Sequence, residues 1–485
     1  MSNLGQSTFQ DPACLRYSQE RQQHWDKVAE NTNWYRKWNK AYQQRLTKIY
    51  RSLVRPGLRV LEIGCGAGDL LAALEPSVGV GVDFSANMVA QAQQRYPHLR
   101  FIQTDLHSLR LEEQFDIILI PDCLNELWDV QNVLENLAVS CTPETRLIFN
   151  CYNRLWELPL NIVRWLGLAT PTLYQNWLTT SDTNNLLYLT GFEVIRNWAE
   201  VLLPINIPIL SAFLNQYLAR LWPFHQFALA NFTLARLHPQ SCSQDHASRV
   251  SVVVPARNEA GNIHSILERV PEMGSGTELI FVEGHSSDDT YETIANLLPE
   301  YPQRRTLLLR QPGKGKGDAV RAGFSAATGD VLMILDADLT VPPEDLPRFY
   351  NALTTRKGEF INGVRLVYPM EKEAMRFFNL IGNKFFSLAF SWLLGQPIKD
   401  TLCGTKVLWK WQYQQISDNR TYFGDFDPFG DFDLLFGAAK LNYKIADMPI
   451  RYRERVYGST NIQRWKHGWL LLKMVVFAAR RIKFI

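Results

Sequence analysis

Short apolar runs alternate with amphipathic stretches over most of the chain. In the first half, "RVLEIG" and "GVGVDFS" read as strands and "ANMVAQAQQRY" reads as a helix. In the second half, "RVSVVVPA", "ELIFVEG", "TLLLRQ" and "DVLMILDAD" repeat the pattern. Strands that alternate with helices predict parallel sheets, so we expect an α/β fold with a parallel sheet in each half.

Polar and turn-forming residues concentrate at "HPQSCSQDHASR", between the two alternations. This composition is typical of a linker. The first 45 residues are aromatic-rich and polar, which favours helices packed on the first domain. The predicted segments are a helical extension at 1–45, a first domain at 46–238, a linker at 239–248, a second domain at 249–460 and a basic amphipathic C-terminal helix at 461–485.

The composition is that of a globular protein, with 46% hydrophobic and 20% charged residues. The net charge of +3 gives no indication of a nucleic-acid partner. The seven cysteines include no C-x-x-C pair, which argues against a disulfide framework or a zinc site. Without a signal-peptide core or a long apolar span, the sequence predicts a reduced, cytoplasmic protein.

The stretch "LEIGCGAGD" at 61–69 follows a predicted strand and opens a helix. Its glycines, Gly64, Gly66 and Gly68, allow the backbone to pass close to a ligand. The next strand ends at Asp83, 19 residues after Gly64, where a carboxylate accepts ribose hydroxyls. The G-x-G-x-G spacing differs from the dinucleotide fingerprint, so it does not favour a nicotinamide cofactor.

With Asp105 and Asp122 ending two further predicted strands, this series resembles the class I S-adenosylmethionine-dependent methyltransferases over about residues 45–238. The resemblance implies a Rossmann-like sheet, S-adenosylmethionine as cofactor, and ribose and adenine contacts at Asp83 and Asp105. The implied cofactor-binding residues are Glu62, Gly64, Gly66, Gly68, Asp83 and Asp105. Methyl transfer requires chiefly that the two reactants are aligned and that water is removed, so the chemistry does not require a catalytic base.

The methyl-acceptor side is expected next to "PDCLNELWD". Asp122, Asn125 and Glu126 border it in the resemblance. A strand end followed by a helix cap explains the same residues equally well, and both interpretations stay open.

Two aspartates, Asp336 and Asp338, end the apolar run of "VLMILDADLT". Carboxylates are costly to bury unless they are paired or bind a metal. A divalent cation held by carboxylate oxygens would neutralise a departing diphosphate in the crevice at the strand ends. Taken alone, such a pair is more often a pair of solvated loop acids.

Further charged residues in the same half of the chain accompany this aspartate pair. They occur in "VSVVVPARNEAGNI", "FVEGHSSDDT" and "GKGKG" and comprise Arg257, Glu259, Glu283, Asp288, Lys314 and Lys316, with Pro255 beside them. Together the motifs resemble glycosyltransferase family 2, the inverting GT-A enzymes that use nucleotide-sugars, over about residues 249–460. Within that family, the motifs resemble those of dolichyl- or polyprenyl-phosphate sugar synthases.

The resemblance implies a nucleotide-sugar site at those residues and Mg²⁺ or Mn²⁺ at Asp336 and Asp338. Where the family commonly has D-D-G-S, this sequence has Glu283, Gly284, His285 and Ser286, which leaves the donor base and the sugar open.

Three later motifs concern the sugar acceptor. "KDTLCGTKV", "DPFGDFDLLFGAAK" and "IRYRERVYGSTN" resemble elements of the polyprenyl-phosphate enzymes, and the resemblance implies acceptor-phosphate contacts at Lys406, Arg453, Arg455 and Ser459. An ion-pair ladder is the alternative for the arginines. A phosphate with a pKa of about 6 attacks without a base. A hydroxyl acceptor would require one, and the catalytic candidates are then Asp400, Asp431 and Asp433.

Three segments are candidates for contact with a membrane surface. Within 374–395, apolar and polar residues form two helical stripes, which predicts an interfacial amphipathic helix. The apolar stripe is Phe378, Ile381, Phe385, Leu388 and Trp392, and the polar one is Arg376, Asn379, Asn383, Ser387 and Ser391. The basic tail and the aliphatic residues of 200–236 are further candidates. Packing of all three on domain cores is the alternative.

The sequence thus predicts a bifunctional transferase attached peripherally to the cytoplasmic membrane face. It would transfer a sugar from a nucleotide-sugar to a polyprenyl phosphate and a methyl group to an unidentified acceptor. A glycosyltransferase for a saccharide or other hydroxyl acceptor is the first alternative, and a non-catalytic membrane-associated scaffold is the second. The oligomeric state is left open.

Overall fold

The computed structural model describes residues 12–30, 32–167, 169–239, 248–365, 377–420, 432–450 and 464–484, together with Arg453, Arg455 and Tyr457. The chain divides into two compact units, Met1–His238 and Pro239–Lys483, with Phe484–Ile485 grouped with the first. Each unit is built on one seven-stranded sheet.

The first unit has seven strands in the order β3-β2-β1-β4-β5-β7-β6. They are β1 Arg59–Ile63, β2 Val78–Asp83, β3 Arg100–Gln103, β4 Phe115–Pro121, β5 Cys141–Tyr152, β6 Phe192–Glu200 and β7 Ala230–Leu237. Strands β1 to β5 are mutually parallel, whereas β7 lies between β5 and β6 and is antiparallel to both.

Helices cover both faces of this sheet. They are α1 Pro12–Glu30, α2 Thr32–Leu53, α3 Asp69–Ala73, α4 Ala86–Arg95, α5 Val130–Ala138, α6 Glu157–Trp165, α7 Thr180–Leu189 and α8 Leu210–Gln216. Ser85 caps α4 and Asp129 caps α5 by accepting backbone N–H bonds, which explains where these helices begin. Leu61 and Val60 belong to opposite core clusters because successive strand residues point to opposite faces.

The second unit also has seven strands, in the order β10-β9-β8-β11-β13-β12-β14. They are β8 Val250–Ala256, β9 Thr277–Glu283, β10 Arg305–Arg310, β11 Val331–Ile334, β12 Phe360–Val364, β13 Lys406–Trp409 and β14 Ile445–Pro449. Strand β13 is antiparallel to β11 and β12, and the other pairs are parallel.

Its helices are α9 Ile263–Arg269, α10 Thr290–Leu297, α11 Lys316–Ala326, α12 Leu346–Thr354, α13 Phe377–Leu394, α14 Lys410–Asp418, α15 Phe432–Lys440 and α16 Arg464–Ala478, followed by a π-helical turn at Ala479–Lys483. Two core clusters flank the sheet, and Val253 and Val254 point into different ones.

These units confirm the predicted α/β fold class, but the prediction of wholly parallel sheets is wrong for both. Each sheet is mixed because one strand, β7 or β13, runs against its neighbours. The apolar content of a short strand does not encode its direction, which depends on how the connection before it returns to the sheet.

Candidate active sites

The glycine turn after β1 has the conformation that its sequence requires. Gly64, Gly66 and Gly68 have φ angles of 70°, 49° and 78°, a region that glycine enters without strain. A Cβ atom on Gly64 would lie 2.9 Å from Cys123 Sγ, and one on Gly68 would lie 2.7 Å from Phe101. Above Gly66 there is open space, so the turn leaves room for a ligand at its middle glycine.

Asp83 ends β2 directly against this turn. Its Oδ2 accepts a hydrogen bond from the Gly66 amide at 2.9 Å, and its Oδ1 accepts one from the Ser85 amide at 3.0 Å. Burial raises the pKa of Asp83, and these amide bonds partly offset that effect. The structure therefore brings together the glycine turn and the acid that the sequence paired with it.

Glu62 lies beneath the same turn and is almost fully buried. Burial raises the pKa of this carboxyl well above its ordinary value. Within the described part of the chain, its Oε2 has no hydrogen-bond partner. A buried, unpartnered carboxyl oxygen is costly, so this position suits a polar group of a bound ligand.

Asp105 lies two residues beyond the end of β3. Its Oδ1 accepts from the His107 backbone amide at 2.9 Å and lies 2.7 Å from His107 Nδ1. Because His107 Nε2 accepts the Asp129 amide, Nδ1 carries the proton. Burial raises the pKa of Asp105, but the bonds from His107 outweigh it and leave the pKa below its ordinary value.

On the expected acceptor side, Asp122 has a φ of 51° just beyond β4. The Tyr42 hydroxyl donates to Asp122 Oδ1 at 2.8 Å, and the Asn150 amide donates to the same oxygen. Burial raises the pKa of Asp122 to about 6. Sequence reasoning missed Tyr42, Asn150 and Tyr50, whose hydroxyl donates to Asn150 Oδ1 at 2.7 Å. The aromatic-rich N-terminal segment was the available signal for Tyr42, whereas Tyr50 lies beyond that segment.

Helix α1 reaches the same side of the site. Arg21 forms a buried ion pair with Glu126 at 3.2 Å. Gln175 donates to Glu126 Oε1 at 2.6 Å, and Arg164 donates to Gln175 at 3.0 Å. Glu126 is thus held directly by Arg21 and Gln175, and Arg164 supports it through Gln175.

In the second unit, each of the two aspartates after β11 contacts a basic side chain that is remote in sequence. Lys316 Nζ lies 2.7 Å from Asp336 Oδ1, and Arg455 Nη2 donates to Asp338 Oδ2 at 2.7 Å. Arg455 also donates to Glu259 Oε1 at 3.3 Å. The structure therefore gathers three further sequence-predicted residues, Lys316, Arg455 and Glu259, around the acidic pair.

The electrostatics of this cluster follow from burial and these contacts. Burial raises the pKa of Asp336, but the Lys316 ammonium outweighs it and holds that pKa below its ordinary value. Burial raises the pKa of Glu259 to about 7, although Arg455 acts against it.

The chemistry of the acidic pair suits a hard divalent cation. Both side chains offer carboxylate oxygens, and both are partly accessible. No group of three or more His, Cys, Asp or Glu that could hold a metal occurs among the described residues. A cation here would need further oxygen ligands from a substrate, as Mg²⁺ does when it binds carboxylates together with phosphates.

The remaining nucleotide candidates lie at the ends of β8 and β9, apart from Lys314, which lies between β10 and α11. Ala256 pairs with Glu283 in the sheet register, so the loops after the two strands are neighbours. Glu283 Oε1 accepts the Ser286 amide at 2.5 Å, and Asp288 accepts the Thr290 hydroxyl at 2.5 Å. Pro255 lies within β8, whereas Arg257 and Lys314 are exposed.

The motif at 400–406 packs against the acidic pair. A Cβ atom on Gly404 would clash with the Asp336 carboxylate and the Lys316 ammonium. Asp400 is buried in a two-point ion pair with Arg365, at 2.7 and 2.9 Å. Lys406 is fully buried and donates to the Cys403 carbonyl. No motif drew attention to Arg365, since it is remote from Asp400 in sequence.

The other acceptor candidates are more dispersed. Asp433 pairs with Arg420 at 3.2 Å and with Arg321 at 3.8 Å. The Arg453 amide donates to the Thr340 carbonyl at 3.0 Å. Asp431 and Ser459 lie outside the described residues.

Comparison with known families identifies both halves. Residues 60–144 match the methyltransferase domain model, and residues 251–406 match the model of glycosyl transferase family 2. Both are families of transferases. The chain therefore carries a methyltransferase domain in its N-terminal half and a family 2 glycosyltransferase domain in its C-terminal half.

Among curated relatives, the dolichol-phosphate mannosyltransferase of Pyrococcus furiosus is 28% identical over 247 residues, which are 49% of this chain and 67% of that protein. The undecaprenyl-phosphate 4-deoxy-4-formamido-L-arabinose transferase of Pectobacterium carotovorum is 35% identical over 108 residues, which are 21% of this chain and 33% of the relative. This chain thus spans about a third of the bacterial relative's length.

Among solved structures, magnesium protoporphyrin IX methyltransferase from Synechocystis PCC 6803, with bound SAH, is 20% identical. The match covers 42% of this chain and 86% of that one, with a TM-score of 0.30.

Two members of the predicted polar stripe of α13, Ser387 and Ser391, are half-buried and bonded to the backbone. The Ser387 and Ser391 hydroxyls donate to the Ile398 carbonyl at 2.7 and 3.0 Å. On the outer side, Phe385 is 56% exposed and Leu388 is 73% exposed. Side chains of Phe378 and Ile381 lie outside the described part of the chain.

None of the helices described has both the length and the apolar character needed to cross a bilayer.

Proposed function

We propose that the C-terminal domain transfers a sugar, with inversion, from a nucleotide-sugar to a polyprenyl phosphate. The acidic pair Asp336 and Asp338, flanked by Lys316 and Arg455, is the observation that carries this proposal. The pair would hold Mg²⁺ or Mn²⁺, which neutralises the charge of a departing nucleoside diphosphate. Lys316 and Arg455 would then pair with phosphate oxygens instead of carboxylates.

The state of the candidate bases supports a phosphate acceptor over a hydroxyl. A hydroxyl must lose a proton to a base, whereas a lipid phosphate is already ionised at neutral pH. Asp400 is fully buried against Arg365, and Asp433 is paired with Arg420. Both described carboxylates are thus already paired with arginines, which favours their ionised, structural role over that of a base. The two relatives named above carry polyprenyl phosphates in their names.

In the N-terminal domain, we infer that S-adenosylmethionine binds at the glycine turn. The open space above Gly66 and the unpartnered Glu62 Oε2 support this position. When bound, the cofactor supplies an activated methyl group. Asp83 would hold the turn and contact the ribose, and Asp122 and Glu126 would border the acceptor.

Attachment to a membrane surface completes the proposal, because a polyprenyl acceptor resides in lipid. Exposed Phe385 and Leu388 on α13 and exposed Trp469 and Val476 on α16 support it. The two helices pack together, and Lys473 lies 5.8 Å from the Trp469 ring. Apolar side chains next to lysines are typical of interfacial helices.

The test is sugar transfer by the purified chain with Mg²⁺, labelled nucleotide-sugars and polyprenyl phosphate. We expect label in the lipid fraction, and Asp338→Ala should abolish it while S-adenosylmethionine binding persists. Asp418→Ala, which alters an exposed carboxylate on α14, is the matched control. Transfer retained by Asp338→Ala would refute the metal role, and free sugar as the sole product would refute the lipid acceptor.

A further inference from the structure

The methyltransferase unit exposes apolar side chains in two places. These side chains face outwards and do not belong to its core. On α6, Leu158, Ile162 and Trp165 recur at helical spacing, and Trp165 is 86% exposed. In the connection between β6 and β7, the segment 205–213, which runs into the first turn of α8 and is called the apolar loop below, exposes Ile205, Ile207, Ile209 and Phe213. Exposed apolar groupings of this kind mark interaction surfaces.

Side-chain hydrogen bonds fix the backbone of the apolar loop. The Ser211 hydroxyl accepts the Ile207 amide and donates to the Ile205 carbonyl, both at 2.7 Å. The side chain of Asn215 exchanges two hydrogen bonds with the Leu203 backbone, at 2.8 and 2.7 Å. These bonds hold the exposed isoleucines in a defined backbone.

The backbone of Ile209 is strained, and the packing of the fold does not explain this strain. Its φ is 67°, a left-handed region that is strained for a β-branched residue. Its side chain is 86% exposed, so no burial offsets the strain. Strain of this kind is typical of functional positions.

Helix α6 connects this surface to the acceptor side of the site. Arg164, on the inner side of α6, reaches Glu126 through Gln175. The Trp156 indole, just before α6, donates to the Phe227 carbonyl at 2.8 Å and so joins the helix to the β6–β7 connection. The helix therefore turns Arg164 towards the site, packs Leu160 on the core, and presents Leu158, Ile162 and Trp165 outwards.

The composition of the surface favours lipid as its partner. Residues 158–181 and 201–229 contain no aspartate or glutamate. Protein interfaces usually have a polar rim, whereas this surface lacks acidic groups that anionic headgroups would repel. Exposed Trp165, Tyr174 and Trp222 are of the residue types that lie at the level of lipid headgroups.

We propose that the methyltransferase unit docks on a lipid bilayer through the outer face of α6 and the apolar loop, and that its methyl acceptor is a lipid-linked molecule. This rests on the proposed methyltransferase function and names its substrate class. A nucleophilic atom of the lipid's polar head bonds to the methyl carbon as the sulfonium–carbon bond breaks. The acceptor proton passes to water, and S-adenosylhomocysteine leaves.

The docking test is flotation of the full chain with vesicles of phosphatidylcholine and phosphatidylglycerol. All proteins carry Phe385→Ser and Leu388→Ser, which remove the exposed pair on α13. The loop variant adds Ile205→Ser, Ile209→Asn and Phe213→Ser, and the control adds Tyr188→Ser and Leu189→Ser, which alter an exposed apolar pair on α7. We expect the loop variant to float at least about tenfold less than the control, since each apolar side chain contributes about 1.5–3 kcal/mol when buried.

Unchanged melting temperatures would show that the variants fold. Equal flotation of loop variant and control, or no flotation of either, overturns the docking. A concentration-dependent dimer that the loop substitutions abolish would assign the surface to a second copy of the chain and also overturns it.

The acceptor test uses methyl-labelled S-adenosylmethionine and vesicles that carry either polyprenyl phosphate or its glycosylated product. We expect chloroform-soluble label that decreases in the loop variant while calorimetric cofactor binding is unchanged. Cofactor binding with no chloroform-soluble label from either lipid overturns the lipid acceptor alone. Absence of cofactor binding would instead defeat the proposed methyltransferase function.

Discussion

Gly404, in the motif at 400–406, brings its backbone against the side chains of Asp336 and Lys316. Its missing Cβ leaves room for the Asp336 carboxylate and the Lys316 ammonium, which meet at 2.7 Å. A methyl group at this position must displace both of them, since its carbon would lie 2.0 Å from Asp336 Oδ2 and 2.3 Å from Lys316 Nζ. A side chain at this position would therefore change the geometry of Asp336 and Lys316.

We predict that Gly404→Ala lowers sugar transfer about 100-fold, because a displacement of about 1 Å in a reacting site has an effect of that size. The rate of label transfer from nucleotide-sugar into lipid is the measurement. Gly382→Ala is the control, since nothing lies within 4 Å of a Cβ atom there. Equal activity of the two variants would show that the contact is unimportant.

Asp122 predicts a pH dependence of stability. Its pKa is raised from 3.8 to about 6 in the folded chain, so the folded state binds the proton more tightly than the unfolded state. The stabilisation from this proton is complete below about pH 4 and is lost as the pH rises through about 6. The loss is on the order of 3 kcal/mol, since one pKa unit corresponds to about 1.4 kcal/mol.

Asp122→Asn keeps an oxygen acceptor for Tyr42 but removes the titration. We expect the variant to match the original chain near pH 4 and to melt at a higher temperature above pH 7. Melting of both proteins across this range, followed by circular dichroism, is the measurement. A difference that does not change with pH would contradict the assignment of a raised pKa to Asp122.

At the scale of elements, α13 shows how packing selects the face of a helix. Its apolar and polar stripes predicted the helix itself. In the fold, the core takes Phe390 and Leu393, while Ser387 and Ser391 bind the Ile398 backbone. Phe385 and Leu388 consequently remain outside.

Replacing Phe385 and Leu388 by serine should weaken vesicle binding and raise the KM for polyprenyl phosphate, because lipid-buried apolar area is lost. The KM for the nucleotide-sugar should stay unchanged. Neither Phe385 nor Leu388 is close to Asp336 and Asp338 in the sequence, and neither contacts them. Steady-state kinetics with both substrates is the measurement. An unchanged KM for the lipid would argue that α13 makes no lipid contact.

At the scale of the whole molecule, the two units have separate sheets and separate core clusters. Their ligand sites are proposed to be equally separate. A ligand that binds only a folded unit raises the melting temperature of that unit.

We predict that S-adenosylmethionine raises one thermal transition, and that Mn²⁺ with a nucleoside diphosphate raises another. A chelator should reverse the second shift and leave the first unchanged. Differential scanning calorimetry measures both. A single transition that both ligands raise would show that the two units unfold cooperatively.

Much of each site was predictable because its residues follow strands within one short motif. The glycine turn and Asp83 are 19 residues apart or less and end adjacent parallel strands, so the local pattern places them together. Asp336 and Asp338 follow from the same reasoning. The buried Asp400–Arg365 pair and the tyrosines around Asp122 did not, because their partners are remote in sequence.

The sequence by itself determined the α/β class, the two domains' families and the motifs at the strand ends, because hydrophobic period and turn chemistry are local properties. Only the tertiary structure decided the direction of β7 and β13, the outward face of α13, and the meeting of Arg455 with Asp338 and Glu259. Those outcomes depend on which distant surfaces pack together, and a contact across more than a hundred residues leaves no mark in the local pattern.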